Sequence, residues 1–318
     1  MTPAQQACSL LAGFATADEP MAPHTTYRLG GPADVFALPR TVDELRAVGR
    51  ASVATGLPVV LIGRGSNLLV ADEGYRGIAI SLAAMAGIAD RVDIDDDRVV
   101  AGGAVALPVL SRRLAAMGLT GFEWAVGVPG SIGGAVRMNA GGHGSDMAAT
   151  LQGAHVLDLR TDHCGWVPLG GLGLRFRGSD LVDHQVVIDA TLQLAHGDIA
   201  TAEAAVADIV RWRREHQPGG QNAGSVFVNP IPGELAAAQL IDGLGLRGFR
   251  IGGAHVSDKH ANFIQAGEGA TAAEVRAVIE HVRAEVFAHT GHALRSEVRL
   301  VGFSDMVADE PTRPGVLL

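Results

Sequence analysis

Aromatic side chains make up only 4% of the 318 residues, so the interior must be packed mainly with Ala, Val, Leu and Ile. Cysteine is limited to Cys8 and Cys164, far apart and without a CxxC pair. That excludes a disulfide framework and a Cys-based zinc site. Lysine is nearly absent: Lys259 stands alone among 25 basic residues, the rest being arginine. Long apolar runs are missing as well, and stretches such as Leu57–Ile62 fall far short of a membrane span. Basic charge is not in excess. The net charge of −9 and a pI near 5.7 argue against a general nucleic-acid binder. Asp18 and Glu19 precede the first basic residue, Arg28, so the charged start of a secretory signal is missing. A soluble, cytoplasmic, monomeric protein that engages neither nucleic acid nor membrane is expected.

Apolar material is plentiful at 47%, against 19% charged residues, which excludes disorder as the main state. The length suits two or three packed units. Glycine reaches 42 residues with no Gly-X-Y period, pointing to many tight turns or close approaches of backbone to a ligand.

Residues 1–25 read as a weakly amphipathic lead-in. A first compact segment, 26–76, holds a capping box at Thr41 and Glu44, a helix carrying Val42, Leu45 and Val48, and the strand Val59–Ile62 running into Gly63. Residues 77–195 show many short apolar runs separated by turns, the signature of an antiparallel or mixed sheet. The aspartates of Asp93–Asp97 read as a hairpin turn, and a short helix is expected at Leu107–Met117. Residues 196–304 change style again. Helices are expected at Thr201–Glu215 and from a second capping box at Thr271 and Glu274. The latter carries Val275, Val278, Ile279, Val282 and Phe287 and stops at Gly291. Strands are expected at Ser225–Pro230 and Glu297–Val301. The tail 305–318 reads as loose.

Two glycine segments, 63–69 and 127–135, are the strongest chemical signal. Glycine lets backbone amides turn toward an anion with no side chain in the way. Gly63-x-Gly65 has Leu68 where a dinucleotide loop wants its third glycine, and no phosphate-loop Gly-Lys-Ser/Thr exists. Each loop alone reads equally as a tight turn. Two in one chain favour a nucleotide-type cofactor. His289-x-x-His292 lacks flanking carboxylates, and no metal site is expected. Arg175 and Arg177, two apart, would face one side of a strand, either a solvated edge or an arginine aimed at a ligand carboxylate.

The series Thr25–Ala33, Gly63–Leu69, Gly127–Ala135, Met138–Gly141, Ala223–Phe227, Lys259–Phe263 and Glu297-Val298 resembles the UDP-N-acetylenolpyruvoylglucosamine reductase (MurB) family over roughly residues 20–303. The short stretch between Leu194 and Ser225 is similar to its compact class. The resemblance implies an α+β fold: a vanillyl-alcohol-oxidase-type FAD-binding fold of two subdomains, with an α+β substrate-binding domain after it. It implies non-covalent FAD, NADPH as reductant, a UDP-sugar substrate and a place in peptidoglycan synthesis.

By that resemblance Arg177, Ser225 and Glu297 are the catalytic residues. Arg177 would stabilise charge on the substrate carboxylate, with Glu297 as its acidic partner and Ser225 as proton donor. Cofactor contacts are implied for Arg28, Gly63, Arg64, Gly65, Ser66, Asn67, Leu68, Gly127, Pro129, Gly130, Ser131, Gly133, Gly134 and Asn139. Substrate contacts are implied for Asn229, Lys259 and His260. Four positions depart from the family pattern: Phe176 replaces a tyrosine, Val228 and His216 replace lysines, and Arg64 replaces a frequent glycine. They bear on phosphate and carboxylate contacts and leave the catalytic trio intact. Two rivals are another FAD oxidoreductase of the superfamily and a non-enzymatic nucleotide-binding module. The Ser225 and Glu297 motifs argue against the first.

Overall fold

The computed structural model describes residues 1–303. The tail expected at 305–318 lies outside the described residues. Two compact units divide the chain: residues 1–20, 32–66 and 75–217 form unit 1, and 21–31, 67–74 and 218 onward form unit 2.

Unit 1 opens with helix α1, Pro3–Leu10, and strand Ala15–Pro20. The first residues are therefore built into the fold and are no lead-in. That strand pairs antiparallel with Pro32–Ala37, which runs parallel to Tyr75–Ile80, itself parallel to Val59–Leu61. Helix α2, Val42–Thr55, covers this sheet. Its capping differs from the reading in one bond. Thr41 accepts the Glu44 N–H at 3.1 Å, but the Glu44 carboxylate takes the Arg40 N–H at 2.7 Å. Gly56, at φ 72°, ends the helix in the left-handed region that glycine tolerates.

A five-stranded antiparallel sheet follows, ordered 164–168, 151–158, 185–193, 98–102, 92–95. Asp96 and Asp97 form the hairpin turn as expected. Helices α3, Leu107–Ala115, and α4, Ile132–Met138, bury Leu107, Leu110, Leu114 and Ile132 with Val99 and Leu192 of the sheet. Helix α5, Ile199–His216, read from sequence as the start of the third segment, groups with unit 1 and buries Ala202 and Val206 against Ala115 and Val126.

Unit 2 holds a small antiparallel sheet of 250–251, 254–256 and 264–266, a parallel pair of Leu68–Val70 with Arg299–Val301, and helices α6, Ala237–Gly243, and α7, Ala272–Thr290. The Thr271–Glu274 capping box is complete, and Gly291 terminates α7. Val275, Val278, Ile279, Val282 and Val286 are buried, whereas Phe287 is 59% exposed. At 100° per residue, position 286 returns to within 20° of Val275 and 287 overshoots to 120°.

Residues 225–230 do not form the expected strand. A single bridge links Phe227 to Ser296, because neighbouring backbone groups are bonded to different segments. The last strand begins at Arg299 for the same reason: the Glu297 N–H is bonded to the Val226 carbonyl. Among the described residues no helix is long and apolar enough to cross a membrane.

Candidate functional site

In unit 1 the two glycine loops meet. A Cβ built on Gly63 would lie 2.8 Å from the Ser131 hydroxyl oxygen, so a side chain there would displace that hydroxyl. Gly65 has φ 62° and needs its glycine. Ser66 Oγ lies 3.9 Å from where a Gly130 Cβ would be. Ser131 is buried at the start of α4, yet its side chain makes no capping bond to that helix. The loop is strapped down by the Leu107 N–H to the Gly130 carbonyl, 3.1 Å, and the Ile132 N–H to the Val105 carbonyl, 2.9 Å. Arg64, Pro129 and Gly134 are exposed beside this meeting point.

Other candidates in these loops serve packing. A Cβ on Gly127 would sit 3.1 Å from Arg213 Cδ and 3.2 Å from Ile209 Cγ2, so this glycine admits α5. Gly133 donates its N–H to the Gly103 carbonyl at 2.8 Å and has little room for a side chain there. Asn139, just past the second loop, is held among protein partners. It is buried in the left-handed region at the end of α4, and its carboxamide is committed to protein partners. Nδ2 donates to Asp146 at 3.0 Å and to the Arg175 carbonyl at 3.2 Å, while Oδ1 accepts the Ala148 N–H at 3.0 Å.

That Asn139 bond anchors the turn bearing Arg177. The residues read as one strand face form a tight turn, with Arg175 and Gly178 exchanging backbone bonds of 2.9 and 3.1 Å. Arg175 pairs with Asp180 at 2.6 Å, whereas Arg177 donates from Nη2 to the Gly141 carbonyl at 2.9 Å. The two arginines thus serve different partners. Arg177 holds φ 57°, an uncommon backbone for a large side chain. Phe176 is exposed, with the Arg177 guanidinium carbon 5.0 Å from its ring centre.

In unit 2, Ser225 and Glu297 come together through their chain neighbours. The Glu297 N–H donates to the Val226 carbonyl at 2.7 Å. Asn67 fixes Glu297 from the other side: its Nδ2 donates to the Glu297 carbonyl at 2.8 Å, and its own carbonyl accepts the Arg299 N–H at 3.0 Å. Asn67, read as a cofactor contact, therefore also supports the segment that runs from Glu297 into the strand at Arg299. Leu68 is buried and strand-paired with Arg299. Arg28 is exposed at φ 53° in a turn closed by its N–H on the Thr25 carbonyl. Asn229 Oδ1 accepts the Ala237 N–H at 3.1 Å and so helps start α6. Lys259 is exposed and His260 half-buried in the turn leading to strand 264–266. Burial first, then nearby Arg247, pulls the His260 imidazole below its ordinary pKa.

Three working residues escaped the sequence reading. Asn262 sat inside a quoted motif with no role given. Asp72, which caps α7 by accepting the Ala272 and Ala273 N–H groups at 2.9 Å each, carried no local signal. Arg213, half-buried on α5 with its Cδ 3.1 Å from where a Gly127 Cβ would be, carried no local signal either.

Two family models match the chain: an FAD binding domain over residues 33–162, and the UDP-N-acetylenolpyruvoylglucosamine reductase C-terminal domain over 216–301. The UDP-N-acetylenolpyruvoylglucosamine reductase of Heliobacterium modesticaldum is 43% identical over 297 residues, 90% of each chain. That of Bacillus subtilis is 38% identical, covering 91% of this chain and 95% of its own. The crystal structure of the Thermus caldophilus enzyme superposes with a TM-score of 0.77 at 31% identity, covering 90% of this chain and 98% of that one.

Proposed function

The chain belongs to the UDP-N-acetylenolpyruvoylglucosamine reductase family, and from that premise we propose how its residues carry the reaction. The protein is an FAD-dependent oxidoreductase that reduces UDP-N-acetylenolpyruvoylglucosamine to UDP-N-acetylmuramate with NADPH, a step of peptidoglycan precursor synthesis. When bound, FAD would supply the hydride chemistry that links NADPH to the enolpyruvyl methylene carbon.

The meeting point of the loops at Gly63, Gly65, Ser66, Gly130 and Ser131 suits the diphosphate of that cofactor. Gly63 adds no side chain beside the Ser131 hydroxyl, and that hydroxyl is not spent on capping. Unit 1 is thus read as the cofactor unit and unit 2 as the substrate unit.

Hydride addition to one alkene carbon leaves negative charge on its neighbour and on the attached carboxylate. Arg177 stabilises that charge, since a guanidinium is permanently charged and can bond a carboxylate at two points. The bond from its Nη2 to the Gly141 carbonyl anchors the guanidinium on the turn. Ser225 gives its hydroxyl proton to the carbanionic carbon, the enolate electron pair forms the new C–H bond, and the serine oxygen regains a proton from water. Glu297 assists as the acidic partner. Next to a substrate carboxylate it is expected to be protonated or bonded to an arginine. Asn229, Lys259 and His260 offer polar contacts to the UDP-sugar. Both substrates are charged nucleotides that do not cross membranes unaided, so the enzyme is placed in the cytoplasm, working as a monomer without nucleic acid.

The observation that carries this reading is the 2.7 Å bond from the Glu297 N–H to the Val226 carbonyl, which fixes the proton donor's neighbour to the acidic residue's backbone. An anaerobic titration tests it. NADPH should bleach the bound flavin, and the enolpyruvyl UDP-sugar should restore its colour. Bleaching without restoration would point to a different oxidoreductase, and no bleaching to a mere nucleotide binder.

A further inference from the structure

The segment after Ser225 has no strand neighbour, yet all four backbone polar groups of Val226 and Phe227 are engaged, three of them by one residue. Asn262 is only 4% exposed. Its Oδ1 accepts the Phe227 N–H at 2.9 Å, and its Nδ2 donates to the Phe227 carbonyl at 2.8 Å. Its own carbonyl accepts the Val226 N–H at 2.9 Å. The fourth group, the Val226 carbonyl, takes the Glu297 N–H. The Asn262 N–H is in turn held by His260 Nδ1 at 3.2 Å. On the other side of Ser225, Gly224 has φ 76° and its N–H bonds to Asn222 Oδ1 at 3.0 Å.

A carboxamide is the one short side chain that presents a donor and an acceptor side by side, matching a peptide N–H and C=O as a neighbouring strand would. Aspartate lacks the donor, glutamine is a methylene too long, and leucine offers neither. Because proton transfer depends steeply on donor placement, a residue that sets this backbone sets the rate. We propose that Asn262 is the positioning residue that holds the Ser225 hydroxyl, and through Val226 the Glu297 backbone, in register for proton delivery to the substrate. This rests on Ser225 being the proton donor.

The experiment uses the FAD-loaded enzyme and compares Asn262→Asp, Asn262→Gln, Ser225→Ala and the Asn262→Asp/Ser225→Ala double variant. Stopped-flow measurements separate flavin reduction by NADPH from reoxidation by the enolpyruvyl UDP-sugar. Both Asn262 variants should keep wild-type FAD content and reduction rate while reoxidation slows about 10- to 100-fold. Amide hydrogen exchange should quicken across residues 225–228 and not in α7. In the Ser225→Ala background, Asn262→Asp should add nothing further, since residues acting as one unit are not additive.

Wild-type reoxidation in either folded variant, equal slowing of both half-reactions, or full multiplicativity with Ser225→Ala would each overturn the proposal. So would failure of both Asn262 variants to fold with FAD, which would make the residue purely structural. Wild-type reoxidation in Ser225→Ala alone would instead sink the proton-donor assignment on which the proposal rests.

Discussion

The Tyr27 phenol donates to the Ile264 carbonyl at 3.1 Å across 237 residues of sequence. Tyr27 is fully buried in the core of unit 2 among Leu69, Val226, Phe227 and the apolar face of α7. Its segment, 21–31, thus joins a unit whose other parts lie at 67–74 and beyond 218. The core that supports the Ser225 segment includes a residue from the start of the chain.

Tyr27→Phe should keep the shape of this core and leave a buried carbonyl short of a partner, costing about 1–3 kcal/mol of stability. Chemical denaturation of the two proteins measures it. Burial also pushes the Tyr27 phenol up from its ordinary value of 10.0, opposed by a backbone bond from Ala223. A folded-state pKa above the unfolded one means that this stability is complete below pH 10 and lost as pH rises beyond it. Wild type should therefore lose stability above about pH 10 more steeply than Tyr27→Phe. Parallel curves would show that the phenol is not sealed from solvent.

His260 gives the opposite sign. Its Nδ1 accepts the Asn262 N–H, so the ring must be unprotonated there, and burial followed by Arg247 lowers its pKa from 6.5. Here the unfolded chain binds the proton more readily, so the contribution is present above pH 6.5 and is lost as pH falls below it. His260→Asn, which keeps an acceptor that cannot titrate in this range, should flatten the drop in stability between about pH 7 and about pH 5. Identical pH profiles for the two proteins would contradict this.

Much of the site was legible because glycine and capping chemistry are local. The Thr271–Glu274 box, the Gly56 and Gly291 stops and the two glycine loops all act within a few residues, and all are where the sequence implies. What could not be read was the partner of each polar group. Residues 225–230 look like a strand because Val226, Phe227 and Val228 favour one, but their bonds go to Asn262, Glu297 and Arg295 separately. Arg175 and Arg177 look like one face of a strand until the Arg175–Gly178 turn separates them. Nothing around Asn139 in the sequence shows that Asp146, Ala148 and Arg175 engage its carboxamide. Tertiary pairing decides such cases, and one sequence does not record it.

Arg177→Lys tests the charge-stabilising role. Arginine can bond the Gly141 carbonyl and still present donors to a carboxylate, whereas an ammonium is a single point charge on a freely moving stem. The variant should fold and bind FAD normally, because the turn is held by backbone bonds between residues 175 and 178 and by Asn139. Flavin reduction by NADPH should be unaffected. Reoxidation by the UDP-sugar should fall roughly 10²–10³-fold, the usual cost of losing a preorganised donor to developing negative charge. Full activity would remove Arg177 from the mechanism.

Lys259 is the lone lysine beside 24 arginines, so its position has not followed the bias of the rest of the chain. It lies in the turn between strands 254–256 and 264–266, where its N–H bonds to the buried Ser257 hydroxyl at 3.2 Å and the next residues are tied through His260 and Asn262. The backbone is therefore pinned while the residue as a whole is exposed. A fixed root with a flexible stem and a compact ammonium suits a phosphate or carboxylate contact too tight for a guanidinium fork. Lys259→Arg should leave the melting temperature and FAD content unchanged, because the bonds that hold the turn come from backbone and neighbouring side chains. It should raise the Michaelis constant for either NADPH or the UDP-sugar severalfold. Steady-state kinetics with each substrate varied in turn identifies which. A variant matching wild type for both would make the lysine an accident of composition.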